Sequence, residues 1–204
     1  MFDFDEDLRH KVEFVNQSIL DLDLSNIHPI LADPSRYSIT GGGKRLRPIL
    51  CMLCAEAVGG DYRDTREAFL ALELIHNGTL VHDDIIDADL FRRGTPSVQM
   101  KYDTNRAVLT GDALLSLGLR YASMTGNLKV VHMLAETALK MVQGVALQTF
   151  FRREKVAEST YLKINYLKSG SLFECAAALG GIVSTDISGD CEALSKFGRN
   201  FGDA

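Results

Sequence analysis

The stretch from Leu70 to Asp87 is apolar over most of its length and ends in the run Asp-Asp-Ile-Ile-Asp. If this stretch is one helix, the positions one and four residues after Asp83 share its face, so Asp83, Asp84 and Asp87 converge. The apolar residues on both sides indicate that the helix is partly buried. The stretch therefore predicts a long core helix that carries three carboxylates at its C-terminal end.

Three carboxylates on one face repel each other unless a cation lies between them. Oxygen ligands suit a hard divalent cation, and Mg²⁺ usually joins protein carboxylates to substrate phosphates. Arg92 and Arg93 follow closely, and their planar guanidinium groups match phosphate oxygens. A solvated acidic helix end before a basic turn is the alternative, since Asp-Asp-x-x-Asp alone often arises by chance. The apolar neighbours Leu80, Val81 and Ile85 favour the metal and diphosphate site, because unpaired carboxylates are costly to bury.

Most of the remaining chain shows apolar residues at helical spacing. Helices are predicted at Leu8–Leu20, at Ile49–Val58, from Asp64 or Thr65 to Asp87, at Thr104–Tyr121 with an interruption at Thr110–Asp112, at Asn127–Phe151, at Ser159–Leu179 with Ser159 or Thr160 as N-cap, and at Glu192–Phe201. Asn26–Tyr37 contains two prolines and is predicted as a connection or short turns, Gly180-Gly181 as a helix end or kink, and Ser188-Gly189 as a turn. No alternating strand pattern, repeat or linker is present, so we predict an all-α fold with one domain over residues 1–204.

Charge and composition exclude several classes of protein. The net charge is −5 and no block of Lys or Arg occurs, which argues against a nucleic-acid partner. The acidic N-terminus is unlike a signal peptide, and no apolar run reaches membrane-spanning length, so we expect a cytoplasmic protein without a transmembrane segment.

Cys51 and Cys54 have the spacing of a redox or zinc pair. They lie in an apolar run with no βαβ pattern around it, so core packing is the better interpretation.

A glycine-rich stretch, Gly41–Pro48, contains Lys44 and Arg47 at the start of a predicted helix. It is not a nucleotide P-loop, because neither Ser nor Thr follows the lysine and no strand precedes the glycines. A helix N-terminus favours anions, although a glycine hinge before a solvated basic turn fits equally well.

His76 lies two turns before Asp83 on the same side of the helix. It is either a buried core histidine or a ligand.

Five motifs follow one another along the chain: Gly42-Gly43-Lys44-Arg45-Leu46-Arg47-Pro48, Ile75-His76, Asp83-Asp84-Ile85-Ile86-Asp87 with Arg92-Arg93-Gly94, Gly111-Asp112-Ala113-Leu114-Leu115, and Lys168-Ser169-Gly170. In this combination the chain closely resembles the trans-isoprenyl diphosphate synthase (polyprenyl synthase) family, from about Ile39 to its last residue. The resemblance implies an isoprenoid-synthase helical bundle around a deep apolar cavity, usually in a homodimer. It also implies a prenyltransferase that condenses isopentenyl diphosphate with an allylic diphosphate into a linear all-trans prenyl diphosphate.

The resemblance implies a role for each matching residue. The first aspartate-rich motif, which holds Mg²⁺ against the allylic diphosphate, corresponds to Asp83, Asp84 and Asp87. The contacts to the allylic diphosphate correspond to Arg92, Lys168 and, where the family more often has threonine, Ser169. The isopentenyl diphosphate site corresponds to Lys44, Arg47, His76 and Arg93. The implied catalytic residues are Asp83, Asp84, Asp87 and Lys168, and the implied cofactor is Mg²⁺.

Product length is the most specific expectation. In family members with short products, an aromatic residue four or five positions before the first aspartate closes the product tunnel. Those positions are Thr79 and Gly78 here, and neither is a floor, which offers a reason for a glycine within a helix. We therefore expect a geranylgeranyl or longer product, with Ile75, Leu74 and Ala71 as the next candidates to line the cavity. The alternative is that another helix supplies the floor.

One departure from the family pattern concerns the second aspartate-rich motif. The chain stops at Asp203-Ala204, where that motif is expected to begin. The interpretations are a truncated form of a complete enzyme, which the missing helix cap favours, or a non-catalytic diphosphate-binding or regulatory subunit of a heteromeric synthase. A terpene cyclase of related fold is a third possibility. It would not need the Gly-Gly-Lys-x-x-Arg-Pro stretch.

Overall fold

The computed structural model describes residues 4–185 and 187–203, and helices account for most of them. The helices are α1 (Phe4–Leu20), α2 (Pro29–Thr40), α3 (Leu46–Ala57), a 3-10 turn (Tyr62–Thr65), α4 (Arg66–Ile86), α5 (Val98–Lys101), α6 (Thr104–Met124), α7 (Leu128–Phe150), α8 (Glu158–Asn165), a π-helical turn (Tyr166–Gly170), α9 (Ser171–Ser184) and α10 (Ser188–Asp203). A two-residue hairpin, β1 (Phe91–Arg92) with β2 (Thr95–Pro96), is antiparallel. The all-α prediction is confirmed.

Packing divides the described residues into two compact units whose boundaries fall inside α3, α4 and α6. The first unit contains the described residues up to Ile49 together with Leu70–Tyr121. The second contains Leu50–Phe69 together with the described residues from Ala122 on.

Helix α4 supplies the core of the first unit. Its side chains from Leu70 to Ile75 are all buried, and burying each large aliphatic side chain contributes roughly 1.5–3 kcal/mol. Glycines allow α6 to approach α4 closely. A Cβ atom on Gly118 would lie 2.6 Å from Cγ1 of Ile75.

The segment with two prolines is a helix, so the predicted connection at Asn26–Tyr37 is wrong. Pro29 occupies the first turn of α2, where the missing N–H would have no intrahelical partner. The side chain of His28 caps the helix by accepting from the amide of Ile30. Pro34 removes one further hydrogen bond, and the helix continues past it to Thr40.

Helix α6 runs without a break through Thr110–Asp112, where the sequence predicted an interruption. Thr110 is fully buried, and the imidazole of His82 lies where a side chain on Gly111 would be. Close packing against α4 therefore explains this glycine, and no helix end occurs there.

The predicted helix Ser159–Leu179 is three consecutive elements in the second unit. Helix α8 begins one residue earlier than expected, after Ala157, and no side chain caps it. A π-helical turn at Tyr166–Gly170, which includes Lys168 and Ser169, then connects α8 to α9. Gly180 and Gly181 lie inside α9, so the predicted helix end is wrong. Close packing explains Gly180, because a Cβ atom there would meet the backbone of α3, 2.9 Å from the amide nitrogen of Ala55.

Two further differences from the predictions concern α7 and α10. The predicted turn at Ser188-Gly189 is the first turn of α10. Helix α7 is long and apolar enough to cross a membrane by length and composition, although no such run was expected. Such a helix is weak evidence of a span, because one face packs on α9 and on the π-helical turn through Val130, Leu134 and Met141.

The cysteines confirm the packing interpretation. Cys51, Cys54 and Cys175 are buried free thiols, and Cys191 is half-buried. Burial raises the pKa of Cys54 to about 11 and that of Cys175 to about 12, which keeps both protonated at neutral pH.

Candidate active site

The C-terminal end of α4 carries the predicted acidic residues. Asp83 and Asp84 are 8% and 3% exposed, and Asp87 is half-buried. The amide of Asp87 still donates to the carbonyl of Asp83 at 2.8 Å, so the helical turn continues just past Ile86. Ala88 then adopts a left-handed conformation with φ 57°, which reverses the chain. This reversal brings the following arginines back toward the aspartates.

Arg92 lies directly on Asp84. Its Nε donates to Oδ1 of Asp84 at 2.7 Å, and Nη2 donates to the same oxygen. The hydrogen bond with Asp84 raises the pKa of Arg92, and the charges of Asp84, Asp83 and Asp89 add to the effect. Arg92 is held in this position because it pairs with Thr95 in the hairpin.

Two residues that the sequence analysis did not identify hold this loop. Nε2 of Gln99 donates to the carbonyls of Asp84 at 2.7 Å and Asp89 at 2.9 Å. Oγ of Ser97 also donates to the carbonyl of Asp89 at 2.8 Å. Neither residue belongs to a motif with recognisable spacing, so only the tertiary structure reveals them.

The three predicted metal ligands do not converge in this structure. Across residues 4–185 and 187–203, no three His, Cys, Asp or Glu side chains are close enough to hold a metal ion together. The guanidinium of Arg92 pairs with Asp84 and neutralises its charge. The chemistry of the donors still fits a hard divalent cation, because Asp83, Asp84 and Asp87 offer only carboxylate oxygens. The ligand set remains a prediction.

Arg47 and His76 form the first part of a basic cluster. Nη1 of Arg47 lies 3.2 Å from Nε2 of His76, and a guanidinium can only donate, so Nε2 accepts and the imidazole proton lies on Nδ1. Burial lowers the pKa of His76 well below its usual value, and the charges of Arg47 and Arg93 add to this. His76 is therefore neutral at physiological pH. Its Nδ1 is buried, and no described group forms a hydrogen bond with it.

Arg45 and Glu73 form the second part of the cluster. Their side chains are 6% and 8% exposed, and Nη1 of Arg45 lies 3.1 Å from Oε2 of Glu73. Burial raises the pKa of Glu73, while the charges of Arg45 and Arg47 act in the opposite direction. No spacing in the sequence pairs these two residues. A charged residue on an apolar helix, three positions before His76, was the available signal.

A glycine loop separates α2 from α3 and joins the cluster to the arginine hairpin. Gly42 and Gly43 have φ values of 84° and 141°, which residues with a side chain rarely adopt. Nη1 of Arg93 donates to the carbonyl of Gly42. Arg93 itself turns the hairpin in a left-handed conformation with φ 52°. Lys44 is exposed within this loop.

A cleft of the first unit lies where these elements meet. Residues that line it include Tyr37, Gly41, Asn77, Asp84, Arg92 and Arg93. Asn77, one of these lining residues, is buried and its Nδ2 donates to the carbonyl of Glu73 at 2.8 Å. The cleft thus combines a buried carboxylate with guanidinium groups, which suits a diphosphate and its cation.

The expected product-length residues are placed on α4. Ile75 is 2% exposed, Gly78 is buried and Thr79 is half-buried. A Cβ on Gly78 would lie 3.0 Å from the carbonyl oxygen of Gly111 and 3.2 Å from Cγ of Leu115. Close packing with α6 is therefore the physical reason for this glycine, in place of the open space that the sequence suggested. The role of these residues in product length remains a prediction.

The second unit contains Lys168 and Ser169, both in the π-helical turn. Lys168 is half-buried and Ser169 is exposed. The turn packs tightly against α7, because a Cβ on Gly144 would lie 2.6 Å from the amide nitrogen of Lys168. Tyr166 anchors the same turn by donating to Oε2 of Glu174 at 2.5 Å.

An all-α chain with buried carboxylates and several guanidinium groups around one cleft is suited to binding a diphosphate together with a cation. Comparison with known proteins agrees, since the sequence pattern of the polyprenyl synthetase family matches residues 28–204. This chain therefore belongs to the polyprenyl synthetase family.

Individual relatives support the assignment. The chain is 41% identical over 174 residues to a geranylgeranyl diphosphate synthase of Methanosarcina mazei, covering 82% of this chain and 54% of that protein. Its fold resembles the geranylgeranyl pyrophosphate synthetase of Pyrococcus horikoshii with a TM-score of 0.91 and 33% identity, covering 97% of this chain and 62% of that one. A polyprenyl synthase of Caulobacter crescentus, crystallised with calcium and isoprenyl diphosphate, gives a TM-score of 0.88 at 29% identity. The match covers 95% of this chain and 59% of that one. The chain thus spans a little over half the length of these relatives.

Proposed function

We propose that this protein is a Mg²⁺-dependent prenyltransferase. It condenses isopentenyl diphosphate with an allylic diphosphate, releases pyrophosphate and yields a linear all-trans prenyl diphosphate. The observation that carries the proposal is the cleft of the first unit, where buried Asp84 and the two arginines of the hairpin meet in a chain of this family. We regard residues 1–204 as one prenyl synthase domain.

The allylic diphosphate is assigned to the acidic end of α4. Asp83, Asp84 and Asp87 would hold Mg²⁺, which would neutralise the diphosphate and stabilise it as a leaving group. Arg92 would donate to the diphosphate oxygens. These fixed donors stabilise the charge that develops as the allylic C–O bond breaks and a carbocation forms. The roles that the family resemblance implies for Lys168 and Ser169, which lie in the second unit, stay predictions.

Isopentenyl diphosphate is assigned to the basic cluster and the glycine loop. Lys44, Arg47 and Arg93 bind its diphosphate, and neutral His76 orients Arg47 by accepting from Nη1. The double bond of this substrate attacks the carbocation, and a proton is then lost to the released pyrophosphate. The apolar side chains around the site exclude water, which would otherwise quench the cation.

The product is proposed to be geranylgeranyl or longer. The relatives include geranylgeranyl synthases, and no aromatic side chain stands at Gly78 or Thr79. Because α6 fills the space beside Gly78, other residues must limit the product, and Ile75 remains a candidate.

We also propose a cytoplasmic homodimer. Large apolar side chains on α6 support pairing of two copies, because Val108, Leu109 and Leu119 are 40%, 52% and 48% exposed. Apolar surface of this kind is common at interfaces between subunits.

The test is a condensation assay on the 204-residue chain with labelled isopentenyl diphosphate, farnesyl diphosphate and Mg²⁺, followed by chromatographic sizing of the product. We expect elongation that is lost in Asp84→Asn and retained in Asp21→Asn, a matched change at an exposed position directly after α1. Absence of turnover, with diphosphate binding that depends on Asp84, would favour the non-catalytic diphosphate-binding subunit instead. Absence of both would contradict the proposal.

A further inference from the structure

Glu73 is a buried carboxylate within the basic cluster of the first unit, and the proposed chemistry does not use it. It lies on α4, three residues before His76, with its side chain 8% exposed. Arg45 pairs with it directly, and the charges of Arg47 and Arg93 also act on it. A buried carboxylate beside a proposed diphosphate site needs an explanation, because it repels the substrate.

Arg45 is committed to bonds within the protein. Its guanidinium donates to Oε2 of Glu73 at 3.1 Å, to the carbonyl of Ile39 at 3.1 Å and to Oδ1 of Asn16 at 3.2 Å. Since all three of its nitrogens are engaged and the side chain is 6% exposed, Arg45 is not available to a substrate. Its function must therefore be inside the protein.

The backbone of Arg45 occupies the junction between the glycine loop and α3. It has φ 52°, a left-handed conformation that costs energy in a residue with a side chain. Lys44 precedes it, and Arg47 lies in the first turn of α3, which begins at Leu46. The bonds of the Arg45 side chain therefore hold a strained backbone that sets the directions of the two neighbouring cations.

We propose that Glu73 is a positioning residue for the isopentenyl diphosphate site. By holding Arg45, it fixes the junction so that Lys44 and Arg47 point at the diphosphate. The inference rests on the proposed function and deepens it, because it assigns a carboxylate to the recognition of an anion.

Simple electrostatics predicts the opposite effect, which makes the inference testable. Removing a negative charge near the site should tighten anion binding by Coulomb attraction alone. Removing a positioning group should weaken it, because the cations then have to be ordered when the substrate binds. The sign of the change in affinity separates the two.

The experiment measures isopentenyl diphosphate binding to the 204-residue chain by calorimetry without an allylic substrate, so that no reaction occurs. We expect Glu73→Gln to raise the dissociation constant about tenfold. Glu67→Gln, on the same helix but paired with Arg66 at 31% exposure, is the matched control and should not change it. Binding of an unreactive allylic thiolodiphosphate in the presence of Mg²⁺ should be unaffected by either change, which a general loss of structure would not allow.

Arg45→Lys provides a second, charge-neutral variant. Coulomb attraction predicts no change, whereas positioning predicts weaker binding. The three bonds of Arg45 leave from three different nitrogens, and the single nitrogen of an ammonium group cannot reach all three acceptors. When Glu73→Gln and Arg45→Lys are combined, their effects on the dissociation constant should be far from additive, since both residues act through one contact.

Unchanged or tighter binding in Glu73→Gln, with the fold intact by thermal unfolding, would overturn the inference. If Glu73→Gln fails to fold, Arg45→Lys decides by the same criterion. If the unmodified chain bound allylic thiolodiphosphate but not isopentenyl diphosphate, the proposed two-substrate function would fail, and the inference with it.

Discussion

Nε of Arg92 donates to Oδ1 of Asp84 at 2.7 Å, so a guanidinium lies on a carboxylate that the family pattern assigns to a metal. Arg92 is thus the internal counter-ion of Asp84. Because Arg92 is also assigned to the diphosphate, cation and substrate together would release it from Asp84. This exchange would couple binding of the two.

Replacing Arg92 with Gln should therefore tighten divalent cation binding when no diphosphate is present. Hydrogen bonds to charged groups contribute about 1.5–3 kcal/mol, and partial exposure of Arg92 reduces this, so we expect roughly three- to tenfold. Mn²⁺ titration followed by electron paramagnetic resonance measures it. Arg106→Gln, which removes an exposed partner of Asp103, is the control, and weaker Mn²⁺ binding in Arg92→Gln would contradict the counter-ion role.

His76 should make the protein less stable as the pH falls. Its pKa in the folded state is well below 6.5, so below pH 6.5 the unfolded chain takes up a proton that the folded chain does not. The free energy of unfolding should then decrease toward acid by up to about 1.4 kcal/mol per pH unit. In His76→Gln an amide oxygen replaces Nε2 as acceptor without titrating, so the slope should diminish.

Urea unfolding at pH 5.5, 6.5 and 7.5 would measure this slope. His132→Gln, at an exposed position on α7, is the matched control and should retain the slope of the unmodified chain. Equal slopes in His76→Gln and the unmodified chain would exclude His76 as the source of the dependence.

Close packing of α4 and α6 should make Gly118 intolerant of a methyl group. Alanine normally stabilises a helix by about 1 kcal/mol relative to glycine, but its Cβ here would lie 2.6 Å from Cγ1 of Ile75. Overpacking costs typically 1–3 kcal/mol, so we expect Gly118→Ala to lower stability. Gly189→Ala in α10, where no atom lies within 4 Å, should be neutral or stabilising. Chemical denaturation of both variants tests the prediction, which fails if Gly118→Ala is the more stable of the two.

Thiol reagents should distinguish Cys191 from the other cysteines. The thiolate is the reactive form, and burial raises the pKa of Cys54 to about 11 and that of Cys175 to about 12, with Cys51 raised as well. Half-buried Cys191 should therefore react first with Ellman's reagent in the folded chain. A Cys191→Ser variant should lose this early reaction, and rapid reaction at Cys51 or Cys54 would contradict the packing interpretation.

Helix class and motif order could be predicted from the sequence because both depend on local spacing. The apolar periodicity of α4 and α7 indicated long helices, and the structure contains them with similar limits. The predicted helix boundaries were wrong where packing against another element overrides the local preference of the sequence. Gly111 and Gly180 lie within helices because another element approaches them closely.

By itself, the sequence determined the fold class and the family, since these follow from periodicity and ordered motifs. Only the tertiary structure decided how the charges pair. Asp84 is neutralised by Arg92 across a chain reversal, and Glu73 by Arg45 at a separation of 28 residues. Partners so far apart in the chain are selected by burial and directed hydrogen bonds, which sequence spacing does not encode.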